Sequence, residues 1–287
     1  MKLQISIVAI LLSLFLSGFQ REPKHFIALG IVAPIEKDSL VSASGFGLIG
    51  ESVGRMIAPS LSEEKFKLNL KAISKLKTKL YMCNVMFPGQ MKIAGPNVKE
   101  DVVLGYVDSL FQRAQQAKIT LIVLGSGTAR RLPEDYDVKK ATLEFASLCR
   151  KIAGVAAKYK VKIALENLQS KETNFLNTVK AAAEVVRLVD HPNFKLNADI
   201  FHMRREHESP ESIINAKDLL IHCEIAEDEE RTLPGIKGDD FTDYFKALKT
   251  ANYRGPVFVE AGSSYSDAQL KYCAQFLNQQ IDKVYKN

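Results

Sequence analysis

Apolar residues are arranged along the chain in two alternating patterns. The first is a set of short, nearly continuous runs: Phe26–Ala33, Phe46–Glu51, Leu80–Met86, Ile119–Gly125, Val161–Glu166, Phe194–Asp199, Leu219–Ile225 and Pro256–Ala261. A strand covered on both faces reads this way, because neither face has to be polar. The second pattern lies between the runs and repeats every 3.6 residues. In Val98–Ala117 the apolar positions are Val102, Val103, Tyr106, Val107, Leu110, Phe111 and Ala114, one stripe of a helix. Thr142–Tyr159 and Asn174–Val189 follow the same period, with Thr173 placed to cap the latter and Pro192 to stop it. A last helix is expected over Ser266–Tyr285.

Eight strand–helix units in about 265 residues predict an α/β protein built as a single (β/α)8 barrel. A doubly wound open sheet would carry a GxGxxG turn after its first strand, whereas Gly30-Ile31-Val32-Ala33-Pro34 stands there. No Pro-, Gly- or Ser-rich linker and no repeat of period 20–50 divides the chain, so residues 21–287 read as one domain. Residues 1–20 read differently. Lys2 is followed by the apolar stretch Leu3–Leu16 and then Ser17-Gly18-Phe19, the pattern of a secretory signal peptide. The stretch is short for a membrane span, and no Cys follows it to carry a lipid. The protein is therefore expected to be exported, to the periplasm or outside the cell, with no stable membrane anchor once the leader is cleaved.

Composition changes this picture little. The chain is 46% hydrophobic and 25% charged, ordinary for a globular protein. The net charge of +6 is spread among acids, as in the helical stretch Glu63 to Lys79, and not gathered into the basic stripe of a nucleic-acid binder. Export permits disulfides. Even so, Cys83 and Cys223 fall inside strand-like runs and Cys149 and Cys273 form no CxxC pair, so free thiols are expected.

The chemistry gathers where the runs stop. A barrel of this kind places its active site at the C-terminal ends of its strands. Strand five ends at Glu166, strand six at Asp199, strand seven reaches His222 and strand eight ends at Glu260. One acid at a strand end is commonly a cap, and one His beside apolar residues is commonly a core residue. Four such residues on four consecutive strands make a candidate metal site. Three carboxylates and one imidazole suit a single divalent ion, Mn²⁺, Mg²⁺ or Co²⁺, better than a structural Zn²⁺.

The motifs at these ends resemble those of the xylose-isomerase-like TIM-barrel superfamily of sugar (phosphate) isomerases and epimerases, in particular the ketose 3-epimerase branch. The likeness is carried by Leu165-Glu166-Asn167-Leu168-Gln169-Ser170-Lys171-Glu172-Thr173-Asn174-Phe175-Leu176-Asn177-Thr178, by Asp199-Ile200-Phe201-His202-Met203, and by His222 with Pro234-Gly235 and Asp240-Phe241 downstream. It implies a metal-dependent isomerase or epimerase in carbohydrate metabolism, acting on a small sugar by proton transfer through a metal-stabilised enediolate. It implies Glu166, Asp199, His222 and Glu260 as ligands, Glu166 and Glu260 as the proton-transferring pair, and Glu172, His202 and Arg231 as substrate contacts. Homo-oligomers are common in that superfamily.

Two departures bear on the substrate. Gln169-Ser170 stands where the branch often has Asn-Arg, and Arg231 lies nine residues after His222 where about six is usual. The strand-seven loop is longer and acidic, with Glu224, Glu227, Asp228, Glu229 and Glu230. It reads either as a solvated loop or as a segment that reshapes the sugar pocket. Arg130 and Arg131 read as exposed arginines on a glycine-permitted turn or as an anion site, and Glu51 reads as a residue of the pocket wall. Other functions of the same fold stay open: dehydration of a keto-inositol, elimination from a 3-keto sugar, or sugar binding without turnover. An endonuclease on abasic DNA would need a trinuclear site with several more His and acid ligands, for which five His, at most two or three of them at strand ends, are too few.

Overall fold

The computed structural model describes residues 27–286. The expected leader over 1–20 and the expected strand start at Phe26 lie outside them. Eight parallel strands close into a barrel in chain order: β1 Leu29–Val32, β2 Leu48–Ser52, β3 Lys79–Asn84, β4 Leu121–Leu124, β5 Lys162–Glu166, β6 Phe194–Asp199, β7 Leu220–Ile225 and β8 Val257–Val259. β1 pairs with both β2 and β8, so no sheet edge is left open. Each expected run contains or overlaps one of these strands.

The continuous apolar runs have two coverings to satisfy. Residues such as Ile31, Ile49, Cys83, Ile122, Ile163 and Leu165 face the surrounding helices, while Met82, Leu121, Val123, Ala164 and Phe258 pack together as a separate inner cluster. Gly30 belongs to this packing. A Cβ there would lie 2.4 Å from the Phe258 ring, so the residue is small because an aromatic fills its place. All four cysteines are buried free thiols.

The helices keep the expected order with shifted ends. Glu100–Gln116 buries Val103, Val107, Leu110, Phe111 and Ala114, although Val102 stays exposed. Val138–Lys158 begins one turn before Thr142, where the Asp137 side chain accepts from the backbone N–H groups of Lys139 and Lys140. The helix expected from Asn174 starts at Val179, and its cap is Thr178, not Thr173. Asn177 holds the chain out of the helix before that point by donating Nδ2 to the carbonyls of Leu168 and Thr173. The segment from Asn167 to Thr178 is therefore free to line the mouth of the barrel. The final helix, Asp267–Tyr285, starts with a reciprocal capping box between Ser266 and Gln269. Among the described residues no helix is long and apolar enough to cross a membrane.

Candidate metal centre and catalytic rim

Glu166 is the last residue of β5, and its side chain turns into the mouth of the barrel. Gly125, just after β4, makes this possible. A Cβ there would lie 1.7 Å from Glu166 Oε2, so any larger residue would occupy the carboxylate's place. Behind it, Arg130 is fully buried and donates Nη1 to the Glu166 carbonyl at 2.8 Å. Burial lowers the Arg130 pKa to about 10, with the Glu166 charge acting the other way. Arg131 donates to the Glu172 carbonyl at 2.7 Å. The two arginines thus brace the β4 and β5 loops.

Asp199 ends β6 and starts the short helix Ile200–Arg205, where its Oδ1 accepts from the His202 backbone at 3.2 Å. Asn167 clamps the two strand ends together, accepting from Asp199 N at 3.0 Å and donating to Asp199 O at 3.2 Å. Glu260 follows β8. It accepts from Asn84 Nδ2 and pairs with Arg231, whose Nε also donates to the Glu260 carbonyl at 2.9 Å.

The structure brings Glu166, Asp199 and Glu260 together as the sequence predicted, but it does not bring His222 to them. The fourth member of the cluster is Glu224, and one oxygen from each of the four residues lies within 4.8 Å of the others. The reason is register. β6 and β7 slip between Leu196 and Asn197, so that Asn197 stands beside His222 and Asp199 beside Glu224. His222 is one layer deeper, against Tyr81 and Phe258, with Nε2 3.4 Å from Glu224 Oε1. Burial lowers its pKa to about 3, so it is neutral.

His202 approaches the cluster from the side. Its Nδ1 accepts from the Gln169 backbone N–H at 3.1 Å, so the ring proton of the neutral form sits on Nε2. That nitrogen lies 3.6 Å from Asp199 Oδ2, 3.7 Å from Glu166 Oε1 and 4.0 Å from Glu172 Oε1, and has no hydrogen-bond partner. Burial, reinforced by Arg231, holds its pKa at about 4. His202 is therefore a donor aimed into the mouth. Glu172 is half-buried and receives Gln169 Nε2 at 3.0 Å, with Arg231 Nη1 3.5 Å away. Glu51 lies in β2, held by the Ser52 N–H and the Arg55 side chain.

The electrostatics of the cluster call for a cation. Burial raises the Glu166 pKa, and the charges of Glu224, Glu260 and Asp199 raise it further. Burial likewise pushes Asp199 up to about 6 against the pull of Arg231. Asp199 Oδ2 and Glu224 Oε1 are buried without a hydrogen-bond partner. Four carboxylates this close cannot all ionise on their own, and a divalent ion bound among them would offset their repulsion and use those oxygens. The donor set therefore fits a hard metal ion.

The acidic loop after β7 is neither simply solvated nor loose. Glu227 is fully buried, and its carboxylate accepts from the backbone N–H groups of Gly235, Lys237, Gly238 and Asp239 and from Thr232 Oγ1. Wrapped around this one side chain, the loop turns sharply. Glu230 and Arg231 both take left-handed backbone angles, φ 57° and 52°, and Arg231 is delivered over the carboxylates with its guanidinium 4.6 Å from the Phe201 ring. The extra loop residues thus still bring an arginine to the rim. Glu224, Glu227, Gly125 and Asn167 were missed as site residues. One signal was present for Glu224, a charged residue near the end of an apolar strand run and two positions beyond His222, on the same strand face.

Comparison with known proteins places this geometry in context. A family model for the xylose isomerase-like TIM barrel matches residues 40–280. An L-ribulose 3-epimerase of Methylomonas sp. (strain DH-1) is 34% identical over 116 residues, 40% of each chain. A ketose 3-epimerase of Arthrobacter globiformis is 32% identical over 115 residues, 40% of this chain and 39% of that protein. The matched stretches therefore span about 40% of the length of these relatives. Among solved structures, D-psicose 3-epimerase in the presence of D-fructose superposes with a TM-score of 0.74 at 17% identity, covering 91% of this chain and 100% of that one. The apo form of a 3-keto-D-glucoside 4-epimerase from E. coli superposes at 0.70 with 19% identity, over 88% and 99%. These likenesses speak for the shared barrel. The extent of the family match and the closed eight-stranded parallel barrel together assign the chain: it belongs to the xylose isomerase-like TIM barrel family.

Proposed function

We propose that the protein is a divalent-metal-dependent sugar isomerase or epimerase that moves a proton at the carbon beside the carbonyl of a ketose or related keto sugar. The observation that carries this reading is the convergence of Glu166, Asp199, Glu224 and Glu260 at one mouth of the barrel, with buried, unpartnered oxygens and a neutral His202 donor beside them. The 3-epimerase names of its relatives point to the same chemistry. A divalent ion held by these carboxylates would polarise the substrate carbonyl and so make the adjacent C–H more acidic.

The chain's own groups divide the remaining work. Glu166 and Glu260 stand on β5 and after β8, on different sides of the cluster. One removes the proton and the other returns it, on the opposite face for epimerisation. The His202 Nε2–H donates to a sugar oxygen, and Glu172 accepts from a hydroxyl. Arg231 already spans Glu260, Asp199 and Glu172, so it orients carboxylates and leaves little positive charge for a substrate anion. With five acidic side chains around the mouth, the substrate class that fits is a neutral polyol and not a sugar phosphate or sugar acid.

The test is NMR in D2O on Mn²⁺-loaded protein from residue 22 onward, offered ketoses, aldoses and 3-keto glycosides. Wild type is expected to exchange one substrate proton for deuterium without change in covalent composition, and Glu260→Gln to abolish that exchange. Loss of water or of an aglycone would replace this reading with a lyase, and an absence of exchange across the panel would leave a sugar-binding barrel. Export is also proposed, on the strength of residues 1–20. A mature protein that still begins at Met1 in its host would overturn it.

A further inference from the structure

Strand seven offers two residues to the rim, His222 and Glu224, and the choice between them sets the chemistry of the donor set. They lie two residues apart, about 6–7 Å along the strand. Glu224 is level with Asp199 and His222 with Asn197. Glu224 Oε2 receives Asn197 Nδ2, which holds the carboxylate; its Oε1 is buried and unpartnered, and one of its oxygens lies within 4.8 Å of oxygens of Glu166, Asp199 and Glu260. His222 is packed against Tyr81 and Phe258, and its Nε2 faces Glu224 Oε1. It reaches the cluster only through Glu224. Both His222 nitrogens are buried without a hydrogen-bond partner, but Nε2 meets the cluster at Glu224 Oε1, 3.4 Å away, and His222 is not among the residues whose donor atoms converge. The other nearby imidazole, His202, is spent, since its Nδ1 accepts the Gln169 N–H and Nε2 is left carrying a proton where a metal would need a lone pair.

We propose that Glu224, not His222, is the strand-seven ligand, and that the centre is an all-oxygen cage of Glu166, Asp199, Glu224 and Glu260. This rests on the reading of the rim as a divalent-cation site and adds a metal selectivity to it. An imidazole donor favours borderline ions such as Zn²⁺ and Co²⁺, whereas carboxylates alone favour hard ions such as Mn²⁺ and Mg²⁺. Replacing the imidazole by a fourth carboxylate therefore narrows the advantage that Zn²⁺ and Co²⁺ ordinarily hold. His222 is then a buried ring packed beneath the site against Tyr81 and Phe258 and not a ligand.

Pulsed EPR of the Mn²⁺-loaded wild-type protein tests the proposal directly, because a coordinating imidazole couples its ¹⁴N to the ion. Calorimetry first establishes that Mn²⁺ binds. The expected result is a Mn²⁺ signal without coupling from a coordinated nitrogen, unchanged in His222→Phe. Glu224→His should introduce that coupling and raise the ratio of Zn²⁺ to Mn²⁺ affinity by about tenfold or more. A ¹⁴N coupling in wild type that disappears in His222→Phe or in His202→Gln overturns the all-oxygen cage while leaving a metal site in place. A wild-type protein that binds no Mn²⁺ overturns both this proposal and the metal-dependent reading on which it rests.

Discussion

Glycine is usually argued from backbone freedom, but Gly125 is explained by the atom facing it. With Glu166 Oε2 1.7 Å from the position of a Cβ, Gly125→Ala must push the carboxylate aside. A misplacement of about 1 Å at a reacting group costs roughly 100-fold in rate, so substrate deuterium exchange should fall by about that factor. The circular dichroism spectrum should be unchanged, because the clash is with the far end of one side chain. A Gly125→Ala protein with wild-type exchange would show that Glu166 does not act from this position. The β4 loop read in sequence as a permissive turn, since nothing in a linear chain shows that residue 166 will point at residue 125.

At the scale of elements, caps and loops decide where the side chains end up. Thr178 Oγ1 accepts from the Ala181 N–H, whereas Thr173 is buried with an unpartnered hydroxyl. Thr178→Ala should therefore lower stability by about 1 kcal/mol. Thr173→Val should stay within about 1 kcal/mol of wild type, because no observed hydrogen bond is lost. Chemical denaturation of the two variants checks this, and the reverse order would restore the helix start expected from the sequence. The β7 loop depends more heavily on one residue. Glu227→Ala strands four backbone N–H groups that its carboxylate now receives, each bond to a charged acceptor being worth about 1.5–3 kcal/mol, so the loop should be strongly destabilised. Limited proteolysis should then cut within 226–239 well before the rest of the barrel, and substrate exchange should fall as Arg231 loses its place. Equal protection of this loop in both proteins would refute the role given to Glu227.

For the whole molecule, charge is sorted between the two ends of the barrel. The site carboxylates crowd the C-terminal mouth. A cavity of about 500 Å3 at the N-terminal mouth is lined by Lys160, Lys162, Lys217 and Arg254 and, among the described residues, by no acidic one. The net charge of +6 thus does not neutralise the site, and the rim keeps a negative potential suited to a dication. A metal bound there stabilises the native state alone. At 100 times its dissociation constant it should add about 2.7 kcal/mol, or roughly 5–10 °C in Tm for a domain of this size. Differential scanning calorimetry with Mn²⁺ and then excess EDTA should show this rise and its reversal, and Asp199→Asn should abolish it. A wild-type Tm indifferent to divalent ions would count against the centre.

The eight strands and most of the helices were legible in the sequence because they follow from local pattern: continuous apolar runs for strands covered twice, and a 3.6-residue stripe for the helices around them. The level of Glu166, Asp199 and Glu260 was legible for the same reason, since each stands where an apolar run gives way to charge. Tertiary structure decided what depends on strands meeting. The slip between β6 and β7 sets Glu224, and not Cys223, level with Asp199 and leaves His222 a layer below beside Asn197, and register is a property of two strands that neither sequence carries alone. The approach of Gly125 to Glu166, the Asn167 clamp on Asp199 and the wrapping of a loop around Glu227 are likewise contacts between segments far apart or folded back on themselves. They exist only once the barrel has closed.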